Sequence, residues 1–128
     1  FSSHEELVSV PAMSSVWLDK VEFPHIQIFD RYVSYEIVQN GEILSEGTVI
    51  FSLPKYFAYA DPGLSCRVEG DEIVVLAQAY AKSVEIQNKA EDLLLSDNYF
   101  DMNAGEKRVR ILGGEPKDLR LRSVYDIR

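Results

Sequence analysis

Cysteine, tryptophan, methionine and histidine are nearly missing from this chain of 128 residues, which has one Cys, one Trp, two Met and two His. With Cys66 alone, no intrachain disulfide can form. His4 and His25 have no second ligand at metal-binding spacing, and zinc needs three or four converging ligands, so no metal site is expected. Basic residues are scarce too: 13 Lys and Arg stand against 21 Asp and Glu, a formal net charge of -8. Nucleic acid and anionic membranes both demand basic surface, so neither is expected as a partner. The longest apolar run, Ile73 to Ala81, already contains Gln78 and falls far short of the ~20 residues that cross a bilayer. No G-x-G-x-x-G, P-loop or G-x-S-x-G occurs, and no cofactor is expected. Convincing amphipathic helices are also lacking. The best candidate, Ala77 to Leu95, is broken by the β-branched and polar stretch around Val84 to Asn88.

What is present is period two. Apolar residues make up 46% and charged residues 27%, a globular composition rather than a disordered one. Tyr, Phe, Val and Ile alternate with polar residues, and Gly, Pro, Asn and Asp fill the turns, so the fold is expected to be all-β. The clearest signal is a hairpin around Asn40-Gly41. Val33, Tyr35 and Ile37 share one phase, as do Ile43, Val49, Phe51 and Leu53. A two-residue turn would put these sets on opposite faces. A three-residue loop of Gln39, Asn40 and Gly41 pairs Ile37 with Ile43 and keeps them together. The expectation is therefore a bulged turn with Gly41 in the left-handed region.

Further strands are expected at Leu7–Val10, Val16–Phe23, Leu64–Val68, Ile73–Ala79, around Val84 and Ile86, at Arg108–Leu112, and at Leu119–Ile127. Turns fall at Gly70-Asp71 and Gly113-Gly114. Short strands at intervals of about ten residues are the mark of a sandwich. Residues 54–63 read as a linker, with two prolines in Leu53–Gly63 and no clean alternation, packed down by Tyr56, Phe57 and Tyr59. The division is thus 1–53, strands of an incomplete domain; 54–63, linker; 64–128, a second sandwich. Charge is uneven: residues 107–128 carry 7 basic and 3 acidic residues, net +4, against net -12 for residues 1–106. Arg120 and Arg122 fit the wet face of an amphipathic strand.

Little here carries chemistry. Cys66 shares a phase with Leu64 and Val68 and reads as a structural thiol. Ser96–Asp101 holds two carboxylates, Asp97 and Asp101, but Glu106 lies too close for a calcium loop of the EF-hand type. A turn whose Asp and Asn side chains bond the backbone fits better. Trp17, Tyr56, Tyr59 and Tyr99 are the candidates for a sugar platform or for interdomain packing. No catalytic residue is assigned.

The stretch Leu95-Ser-Asp-Asn-Tyr-Phe-Asp-Met-Asn-Ala-Gly-Glu106 resembles a segment of the C-terminal immunoglobulin-like domain of β-mannosidases of glycoside hydrolase family 2. Ala81–Ile86 and Arg122–Asp126 resemble a strand and the closing segment of the same enzymes, in the same order. Ala104 stands where Pro is usual, and Met102 where Leu is usual. The resemblance implies an immunoglobulin-like β-sandwich over about residues 53–128, with residues 1–53 as the last strands of the domain before it. The chain begins at Phe1 with no basic stretch leading into an apolar one, and a piece of a longer enzyme is expected.

The parent would hydrolyse terminal non-reducing β-D-mannose, with its catalytic glutamates on a barrel domain upstream. The implied partners are that catalytic barrel and, through it, mannosides. The open sheet edge of residues 1–53 would be covered by another copy of the chain, a homo-oligomer, or by the second domain. The implied location is periplasmic or secreted in a bacterium and lysosomal in an animal. A stand-alone carbohydrate-binding module or a protein-interaction sandwich is the alternative.

Overall fold

Among the described residues nine strands carry the fold. The computed structural model describes residues 2–127. The first hairpin joins β1 (Tyr32–Gln39) to β2 (Glu42–Ile50). A 3-10 turn at Pro54–Tyr56 follows. The second unit contains β3 (Ser65–Glu69), β4 (Glu72–Ala77), β5 (Ala81–Gln87), β6 (Leu94–Leu95), β7 (Phe100–Met102), β8 (Gly105–Gly113) and β9 (Arg120–Arg122). It closes with the short helix α1 (Val124–Ile127). One sheet runs β3-β4-β8-β6 and the other β7-β5-β9, all pairs antiparallel.

The core lies between these two sheets. Ile73, Val75 and Ala77 from β4 and Val109 from β8 meet Ala81, Val84 and Ile86 from β5 and Phe100 and Met102 from β7. Cys66 is half-buried against this cluster, and burial pushes its thiol pKa up, as suits an inert packing group. Val74 faces the other way yet is fully buried. Its ladder neighbours on that outer face are Arg67 and Arg108, whose stems can lie over it while the guanidinium groups stay wet. Glu69 and Glu106 engage both arginines, and Glu72 adds a bond to Arg108, so charge roofs the apolar strand.

The hairpin turn differs from the expected one. Gly41 has φ +82° and Asn40 φ +52°, the pair of left-handed residues of a tight two-residue turn. Gln39 pairs with Glu42 and Val38 with Ile43, and the register then slips so that Ile37 opposes Ser45. Leu44 is the extra residue. The phase correction assigned to the loop is made by a bulge two pairs further in, and Val33 faces Val49 as the alternation requires.

Three other expectations are corrected. Leu7–Val10 and Val16–Phe23 form no strands, because a strand needs a ladder partner and none lies beside them among the described residues. The last strand stops at Arg122 rather than running to Ile127. Ser123 and Asp126 cap a helical turn instead, the Asp126 carboxylate accepting from the Ser123 N–H at 2.7 Å. Tyr56 does not pack the connector down. It is 57% exposed with Lys55 Nζ 4.7 Å from its ring centre, while Phe57 and Tyr59 are buried.

Gly41→Ala should destabilise the chain by ~1 kcal/mol in urea unfolding. No atom lies within 4 Å of the added methyl, so the loss would come from the backbone conformation alone.

Candidate functional site

The connector delivers the chain from hairpin to sandwich, and its aromatics form the seam. Phe57, Tyr59 and Tyr80 make a second buried cluster, with Tyr32 and Ile50 of the hairpin and Val124 and Tyr125 of the last turn packed on it. The Tyr32 and Tyr80 rings stack at 3.9 Å between centres and 14° between planes. Tyr32 also donates its hydroxyl to Asn103 Oδ1 at 2.7 Å. Burial raises the pKa of Tyr32 and, more strongly, of Tyr80.

At the centre of the seam is Asp101. Strand β5 bulges between Ala81 and Val84, opposite Met102 and Phe100. The bulge takes the Ser83 N–H out of the ladder, and Ser83 has φ +52°. Asp101 Oδ1 accepts that N–H at 2.8 Å. Its Oδ2 accepts from Lys82 Nζ at 3.0 Å and from the Thr48 hydroxyl of β2. Thr48 has one proton to give. Tyr80, whose hydroxyl is 2.7 Å from Thr48 Oγ1, is therefore the donor in that pair. A relay from Tyr80 through Thr48 to Asp101 thus ties the hairpin to the sandwich.

Beside this relay the two units leave an open cleft of about 780 Å³. On the hairpin side, Tyr35 lies directly across from Gly47, and a side chain at Gly47 would collide with its ring. On the sandwich side, Lys107 reaches Glu46 Oε1 at 2.6 Å and Asp97 at 3.5 Å, with its Nζ 4.8 Å from the Phe100 ring centre. Tyr99 has φ +58° and is 63% exposed. Its hydroxyl donates at 2.7 Å to Glu85, a buried carboxylate that also accepts from Gln87 at 2.6 Å and from Arg122 on the paired strand. Arg122 first, then Tyr99, hold the Glu85 carboxyl below the usual carboxylate range. The same bond pushes the Tyr99 phenol up.

The sequence candidates do not gather in one place. Trp17 is 96% exposed in the segment before β1, Tyr56 is exposed on the connector, and Tyr59 is buried against Phe57 and Tyr80. Of these aromatics only Tyr99 lines the cleft, together with Asp97 and Asp101 of the same segment. The side chains of Ser96–Asp101 do bond backbone, and mainly that of the neighbouring strand. Asn98 bonds both the N–H and the C=O of Ile86, at 2.8 and 3.1 Å, and also accepts from Tyr99 N. Tyr35, Thr48 and Tyr80 are site residues that the sequence reading passed over. The aromatic facing a glycine across the hairpin, Tyr35 to Gly47, was a usable signal once the register was known.

Two outcomes test this geometry. Asp101→Ala leaves the Ser83 N–H and Lys82 without their acceptor and should cost ~2–3 kcal/mol in urea unfolding, against ~1 kcal/mol for Thr48→Val. Adding Thr48→Val to Asp101→Ala should then cost less than it does alone, since one of the two bonds of Thr48 is already gone and only its acceptance from Tyr80 is left to lose. In an NMR titration, Arg122→Gln should raise the Glu85 pKa. A carboxyl depressed on folding contributes stability above its unfolded pKa and loses it as pH falls through the folded one, so the variant should shed that contribution at higher pH than the parent chain.

No curated protein matches the chain. The family model of the mannosidase Ig-fold domain matches residues 59–127, from Tyr59 in the aromatic seam through both sheets to the capped last turn. That span is more than half of the chain, and the sheets, the Asp101 anchor and the Glu85–Arg122 pair all lie within it. The chain belongs to the family of mannosidase Ig-fold domains.

Proposed function

We propose that this chain is the non-catalytic C-terminal accessory and scaffold region of a β-mannosidase, a retaining glycoside hydrolase acting on terminal non-reducing β-D-mannose. The observation that carries the reading is the use made of the Leu95–Glu106 segment. Its most sequence-distinctive polar side chains, Asn98 and Asp101, fasten β5 and the hairpin. Retaining glycosidases need two carboxyl groups ~5–5.5 Å apart that are free to act on sugar. Asp101 is occupied by three donors, and Asp97 faces Lys107.

The hairpin supports a role in packing. Ile37 and Val38 are exposed at its tip, apolar surface that suits contact with a larger body. In this reading that body is the catalytic barrel domain of the parent enzyme, and mannosides are met by the barrel. An exported enzyme, periplasmic, secreted or lysosomal, is the matching setting.

The purified chain should leave an aryl β-mannoside unhydrolysed at any pH between 4 and 8 (roughly the range over which a carboxylate pair can work). Release of the aryl group above the buffer blank would sink the proposal.

A further inference from the structure

The cleft beside the relay has features that holding strands together does not require. Its volume of about 780 Å³ lies inside the ~300–1,000 Å³ range of small-molecule sites. Two tyrosines are held in place on its walls. Tyr99 is pinned at its hydroxyl by buried Glu85, and the residue is 63% exposed. Tyr35 is lodged over Gly47 and is 49% exposed. Fixed rings stack a ligand with little further loss of rotamer freedom. Two non-glycine residues of the cleft, Ser83 and Tyr99, hold left-handed φ. Such strain is costly and gathers where a side chain has to be aimed.

The charges select the ligand. Glu46, Asp97 and Asp101 are interleaved with Lys82 and Lys107, and every ammonium already touches a carboxylate. An anion would meet carboxylates, and a cation would meet ammonium groups. A hydroxyl suits both, donating to a spare carboxylate lone pair and accepting from a spare ammonium N–H. Tyrosines that share a cleft with alternating donors and acceptors suit a ring that carries hydroxyls at its edge and C–H groups on its faces.

We propose that this cleft is a binding site for a neutral saccharide of one or two rings, held between Tyr35 and Tyr99. The site goes beyond the scaffold role. It would bind sugar without cleaving it, so it stands or falls separately from the activity of any parent enzyme.

The test is an NMR titration of the full chain with mannobiose and with cellobiose, and with inorganic phosphate as the charged control. At least one disaccharide should give saturable shifts at the amides of Gly47, Ser83 and Tyr99. Tyr99→Ala should weaken that binding by about tenfold or more, and Tyr99→Phe, which keeps the ring, by no more than about fivefold. Tyr56→Ala, on an exposed tyrosine outside the cleft, should leave it unchanged. Retained core signals from Ile73 and Val109 would show that the variants fold. If Tyr99→Ala does not fold, Tyr35→Ala on the opposite wall gives the same reading. Absence of saturable cleft shifts with both disaccharides would overturn the proposal, as would equal affinity in the folded alanine variant, or binding of phosphate alone.

Discussion

The carboxylate of Asp101 is the contact on which the arrangement of the chain depends. A bulge in a central strand normally leaves a stranded N–H, and a buried stranded N–H is costly. Here the bulge at Lys82-Ser83 is answered by a side chain from the neighbouring strand β7. That side chain has a second oxygen left, which takes Lys82 and the Thr48 hydroxyl. One group therefore repairs a defect inside the sandwich and reaches outside it to the hairpin. The Tyr32–Tyr80 stack lies next to this relay and supplies apolar contact where the relay supplies direction.

The fold was largely legible because its signals are local. The alternation in β8 reports which of its residues meet the core, the unbroken apolar run of β4 reports a strand covered on both faces, and Gly41 reports a left-handed turn. The pairs Gly70-Asp71 and Gly113-Gly114 close strands, and Gly70 and Gly114 do have positive φ. What went unread depends on partners distant in sequence. The bulge at Leu44 looks the same in sequence as a longer loop, since both correct the phase, and only the register separates them. The alternation of Leu7–Val10 and Val16–Phe23 is a statement about what these residues could pair with. With no ladder beside them, it produces no strand. The two-residue strand β6 and the three-residue β7 are too short to show a period at all.

The site was harder to read than the fold for a related reason. Asp97 and Asp101 invite a chemical reading because they are acidic and close in sequence. Their surroundings, Lys107 on one and the bulge on the other, come from strands that sequence spacing does not bring together. Conversely, Ser123-Val-Tyr-Asp126 falls both in the expected last strand and in the resembling segment, yet its spacing is also that of a capped helical turn. Reading it physically would have ended the last strand at Arg122.

The roof over Val74 has a consequence for how the molecule can be placed. Arg67, Glu69, Glu72, Glu106 and Arg108 form an interlocked mat on one broad face. Each pair contributes little to stability at such exposure. Stripping water from all of them at once would be expensive for any incoming surface. The hairpin tip, with Ile37 and Val38 in the open, carries the opposite disposition. The charged mat resists burial and the apolar tip favours it, so the two surfaces respond in opposite ways to an approaching body.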